Sequence, residues 1–98
     1  MKFGLTEEQF NYLQETVINP LKKLGAVIWV FGSRARGDHQ EFSDLDLMVD
    51  SRKDISARIG EIQESLEEGN FHYKVDIVQS KDFAESYRES FERDKVKL

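Results

Sequence analysis

Asp44 and Asp46 lie one residue apart in SDLDLMVD (43–50), a segment in which Leu45, Leu47 and Val49 alternate with Asp44, Asp46 and Met48. That period of two predicts a strand with one apolar face, and residues two apart on a strand project the same way, about 6.6–6.8 Å from each other at the backbone. Two bare carboxylates so placed repel, and partial burial adds a desolvation cost. A hard divalent cation relieves both, because Mg2+ takes one or two carboxylates and completes its shell with water and phosphate oxygens. A third acid, Asp76, falls mid-strand in FHYKVDIV (71–78), sharing a face with Lys74 while Tyr73, Val75 and Ile77 share the other. If the two strands are neighbours, spaced at about 4.8 Å, the three carboxylates form a patch for one or two ions. Asp76 is then also placed to accept a proton. Taken singly, each is an ordinary solvent-facing aspartate; their common face, in a setting where Asp is disfavoured, argues for more.

A second motif stands upstream. Gly32-Ser33 follows the apolar run AVIWVF (26–31) directly. Glycine lets the backbone approach a ligand closely, and turn amides with a serine hydroxyl can form a concavity for an anion. Arg34 and Arg36 add charge suited to phosphate oxygens, and Gly37-Asp38 marks a further turn. Phosphate donors and metal ligands on two sides of one cleft are what a nucleoside triphosphate with Mg2+ requires. A solvated connection is the plainer reading of such a loop. No G-x-x-x-x-G-K-[ST] and no G-x-G-x-x-G is present, which sets aside a P-loop and a dinucleotide fingerprint.

The elements that must position these residues follow from periodicity. Thr6 and Gln9 predict a capping box, with Leu5 and Phe10 as its staple. Phe10, Leu13, Val17, Leu21 and Leu24 line one helical face, interrupted at Pro20, where a kink or a restart capped by Asn19 is expected. AVIWVF reads as a buried strand. A second helix runs from near Asp54, with Ile55, Ile59, Ile62 and Leu66 on one stripe, to Gly69-Asn70. Ser80 is a candidate cap for a last helix bearing Phe83, Tyr87 and Phe91, read as core. The expectation is an α/β domain with a small mixed sheet of three to four strands. Helices pack on one face, and the aspartates lie on the more open one.

The 98 residues suffice for one domain over residues 1–98. Fourteen basic against nineteen acidic residues give a net charge of −5, which argues against direct nucleic-acid binding but not against a small anion held locally. No apolar run has the length of a bilayer span, the N-terminal residues lack a secretory pattern, and the chain has no cysteine. A cytoplasmic location is expected. His39 and His72 are too isolated for a zinc site. Trp29 reads as core or cleft lining, and Lys74 as a phosphate contact or a charge balance.

Gly32-Ser33, ten intervening residues, then Asp44-Leu45-Asp46 resemble the GS-x10-D-x-D signature of the nucleotidyltransferase superfamily. The likeness is to its minimal (MNT-domain) members, often paired with HEPN-domain toxins, and extends through VFGSRARGD, SDLDLMVD, KVDIV and the closing FERDKVKL. It implies the polymerase-beta-like palm fold and attack of an acceptor hydroxyl on the α-phosphate of ATP or another NTP, releasing pyrophosphate. It implies catalytic and metal roles for Asp44, Asp46 and Asp76, and nucleotide binding by Gly32 and Ser33, with Arg34 and Arg36 as less direct candidates. One or two Mg2+ ions are implied, for which Mn2+ can substitute. The implied partner is a HEPN-type toxin modified on a tyrosine, in a homo- or hetero-oligomer. An antitoxin that acts by contact alone is the competing reading. A nucleotide-sugar transferase is disfavoured, because such enzymes are larger and have no use for the Gly-Ser.

Overall fold

The computed structural model describes residues 2–69, 71 and 73–98; Asn70 and His72, both named above, lie outside the described residues. The first helical stretch begins as expected. Thr6 N–H donates to Gln9 Oε1 at 2.9 Å and Gln9 N–H to Thr6 Oγ1 at 3.1 Å, closing the capping box of α1 (Glu7–Leu13). Pro20 does not break the helix. A π-turn over Gln14–Ile18, in which Asn19 N–H donates to Gln14 O, leads into α2 (Asn19–Lys23) with Pro20 in its first turn. The widened turn absorbs the missing proline donor without a break. Gly25, at φ +86°, then turns the chain into the sheet.

The sheet has four strands in the order β3-β2-β1-β4. These are β1 (Val27–Phe31), β2 (Leu45–Asp50), β3 (Val75–Gln79) and β4 (Val96–Lys97). β1 runs antiparallel to β2 and to β4, and β2 runs parallel to β3. This is the mixed sheet expected, with its fourth strand supplied by the closing residues. Between β1 and β2 a single helical turn, α3 (Ser33–Arg36), replaces the plain turn read from Gly-Ser. α4 (Ser56–Glu68) starts two residues after Asp54, whose Oδ1 accepts from Ser56 N and Oγ.

On one sheet face Ile28, Val30, Leu45, Leu47 and Val49 meet Leu13, Val17 and Leu21 of the first helix and Ile59, Ile62 and Leu66 of α4. The other face is partly covered as well, contrary to the expectation of an open one. Ser80 caps no long helix there. Two 3-10 turns, Ser80–Asp82 and Glu85–Tyr87, lead to α5 (Arg88–Asp94). Phe91 is buried beneath it, with its ring centroid 6.0 Å from Trp29, 5.6 Å from Phe31 and 5.2 Å from Phe83, all edge-on. Tyr87, expected in the core, is 62% exposed. Among the described residues no helix is long and apolar enough to cross a membrane.

Candidate active site

The register of the sheet brings the acids together. Asp46 faces Asp76 directly across the parallel β2–β3 pair and Phe31 across the antiparallel β1–β2 pair. Asp44 stands just before β2 and is exposed, as is Asp76, whereas Asp46 is half-buried. The electrostatics record their proximity. Burial first, then the charges of Asp76 and Asp44, push the Asp46 carboxyl up from the ordinary range to about 6, against a smaller opposing pull from Lys74. Asp76 is therefore not turned away from the pair.

Gly32 explains how the carboxylate comes so close to the backbone. Its φ is +79°, and a Cβ built there would lie 2.5 Å from Asp46 Oδ2. Only a residue without a side chain leaves that space and adopts that dihedral cheaply. Gly32 caps α3, and its carbonyl accepts from Arg36 N–H at 3.1 Å. The first amides of the turn, beginning at Ser33, have no acceptor within the helix. The Gly-Ser bend and the carboxylates therefore adjoin.

The two arginines, the less direct candidates for phosphate, take different positions. Arg34 turns inward and is only 2% exposed. Its Nε donates to Ser43 O at 2.9 Å, and its terminal nitrogens to Phe3 O at 2.8 Å and Glu41 O at 3.3 Å; its guanidinium lies 4.1 Å from the Tyr73 ring centroid. With three of its donors on backbone carbonyls and almost none of it exposed, it is turned away from the solvent side where a phosphate would arrive. Arg36 is exposed, with Nε on the Asp38 carboxylate and a terminal nitrogen 3.0 Å from Asp94 Oδ2, which ties α3 to α5.

A cleft of about 390 Å³ opens beside the acids, lined among others by Phe31, Asp46, Asp76, Asp82, Phe83 and Tyr87. The sequence reading missed Phe31, Asp82, Phe83 and Tyr87 as cleft residues. The four-residue step from Phe83 to Tyr87 suggests one buried helical face, but extended backbone at Phe83 and Ala84 interrupts the helix between them. An aromatic wall beside paired carboxylates suits a flat ligand with a charged tail.

The donor set can be compared with the ion implied. Among the described residues, no group of three acids or histidines is already closed to the spacing of a metal cage. The expectation of a preformed three-carboxylate nest is thus reduced to an open arrangement centred on Asp46. That still suits Mg2+, which uses few carboxylates and keeps room for phosphate oxygens. His39 lies in the connection between α3 and β2. Its ring packs on Gly4, and its Nδ1 is buried without a hydrogen-bond partner among the described residues.

A Gly-Ser bend set against paired strand carboxylates on a small mixed sheet defines a nucleotidyltransferase-type domain. Residues 15–96 match the family described as polymerase beta, nucleotidyltransferase, and the chain belongs to that family. Among curated proteins it is similar to the "probable protein adenylyltransferase MntA" of Haemophilus influenzae, 34% identical over 64 residues that make up 63% of this chain and 55% of that protein. The match thus spans about half the length of that relative. A solved structure of a minimal nucleotidyltransferase superposes with a TM-score of 0.71 at 33% identity, covering 96% of this chain and 97% of that one. The fold is also that of a toxin–antitoxin structure with AMP-PNP, at a TM-score of 0.65, 21% identity, and coverage of 86% of this chain and 70% of that one. A mutant of the toxin–antitoxin MntA-HpeT gives 0.62 and 23%, with 96% and 72% covered.

Proposed function

We propose that this chain is a Mg2+-dependent nucleotidyltransferase that moves AMP from ATP to a hydroxyl on a partner protein, a tyrosine of a HEPN-type toxin, and so acts as an antitoxin. The observation that carries this reading is the Asp46–Asp76 pair, seated against the side-chain-free Gly32 at the mouth of an aromatic cleft. The likeness to a relative named as a protein adenylyltransferase supports AMP as the group moved.

In this reading the cleft wall of Phe31, Phe83 and Tyr87 receives the base, and the Gly32-Ser33 bend receives the polyphosphate. Asp44 and Asp46 are the principal cation ligands, with Asp76 at the side where the acceptor enters. Held by these carboxylates, a divalent ion would supply charge neutralisation at the reacting phosphorus and the leaving oxygen. The acceptor oxygen forms a bond to the α-phosphorus, and the bond from that phosphorus to the bridging oxygen of pyrophosphate breaks. Asp76, exposed and across the strand pair from Asp46, takes the hydroxyl proton. Lys74 offsets part of the carboxylate charge.

Labelled ATP, Mg2+ and the HEPN-type partner are incubated with the wild-type chain and with Asp44→Ala plus Asp46→Ala. Label on the partner that the double substitution abolishes is the expected result. Neutralisation of the partner without label, and unaffected by the substitutions, would establish the contact-only antitoxin instead.

A further inference from the structure

Among the described residues Arg34 is the charged residue that is buried as a whole, and its role is not the one its position beside Gly32-Ser33 suggests. A buried ion is a weak source of net stability, because desolvation consumes most of what its contacts return. Its contacts, however, fall at particular places. The carbonyls of Glu41 and Ser43 belong to the segment that delivers Asp44, one residue beyond Ser43. Tyr73, under the guanidinium plane, belongs to the segment that delivers Asp76 three residues later. The same two segments are joined by Leu45 N–H donating to Lys74 O at 2.8 Å. Arg34 itself stands in α3, immediately after the Gly-Ser bend, and its remaining contact, Phe3 O, secures the N-terminal stretch.

We propose that Arg34 is a positioning residue for the divalent-cation site: its fork fastens the chain segments bearing Gly32-Ser33, Asp44 and Asp76 to one another and sets the carboxylate spacing on which cation affinity depends. This rests on the transferase reading above. The carboxylates repel one another, so something outside them has to hold their backbones near. A planar guanidinium can meet three separate carbonyls while stacking on a ring. An ammonium on a single stem cannot.

The test is calorimetric titration of Mg2+ into the folded chain with a non-hydrolysable ATP analogue present, alongside thermal melts. Outer-shell partners of metal ligands typically contribute about 10–100-fold in affinity, so Arg34→Met is expected to weaken Mg2+ binding at least about tenfold. Arg34→Lys restores only a small part of that loss. Tyr73→Leu keeps the cation but removes its platform, weakens binding in the same direction, and decides the matter if the Arg34 variants do not fold. A folded Arg34→Met or Tyr73→Leu chain that titrates within about twofold of wild type, well inside the outer-shell range, overturns the inference while leaving the transferase reading intact. A wild-type chain that takes up no Mg2+ with the nucleotide overturns both.

Discussion

Asp46 is held in a costly state. Its carboxyl is raised to about 6 by burial and by the charges of Asp76 and Asp44, so between roughly pH 4 and 6 the folded chain binds more protons than the unfolded one. Stability therefore falls as pH rises through that window, and the penalty is complete above it. Asp46→Asn removes the charge and keeps the shape. It is expected to stabilise the cation-free chain by about 1–2 kcal/mol at pH 7.5, a figure discounted for partial exposure, with the gain vanishing below about pH 4. Urea melts of both chains at the two pH values check the sign. The cost is one that protonation relieves, and that a cation bound at the carboxylates would relieve as well. At this scale the sequence was informative about acids and poor about arginines. Strand alternation fixes where an aspartate points, but nothing local says whether a guanidinium turns out to phosphate or in to carbonyls. Arg34 depends on Phe3 O, thirty-one residues away, and so could not be read from its own neighbourhood.

The strongly periodic elements were legible: the capping box of α1, the apolar runs of β1 and β2, and the stripe on α4. The short ones were not. β4 is two residues long, too few to alternate, and forms because Trp29 and Val30 offer it a backbone edge. The Phe83–Tyr87–Phe91 spacing suggested one helix, yet only Phe91 enters the core. It does so at the junction where α5 meets Trp29, Phe31 and Phe83. Phe91→Ala is accordingly expected to cost about 3–5 kcal/mol, releasing α5 and β4 together and deforming the cleft wall. Hydrogen exchange checks the element-level claim: protection should fall in residues 83–97 before it falls in β2.

At the scale of the whole molecule, the proposed function asks a chain of net charge −5 to handle an anion in one place, where a glycine, a turn and a counter-charged ion would do what a basic surface does elsewhere. If the carboxylate patch and the cleft work as one site, nucleotide and Mg2+ together stabilise the fold by mass action. At free ligand about a hundredfold above Kd the gain is about 2.7 kcal/mol, which for a domain of this size raises Tm by roughly 10 °C or more. The rise is expected with both ligands, absent with EDTA, and absent in the Asp46→Asn chain. Differential scanning fluorimetry measures it directly. The mixed sheet and its carboxylate strands were readable because each is a local pattern. The cleft was not, because its lining combines β1, β2 and β3 with residues 82–87, segments distant in sequence.

That separation has a consequence during synthesis. Trp29 and Phe31 leave the ribosome about sixty residues before Phe91, so the nascent β1–β2 hairpin carries an uncovered aromatic surface while those intervening residues are made. Chaperone capture should therefore centre on this surface, and stalled products ending before Arg88 should aggregate where products that include α5 and β4 do not.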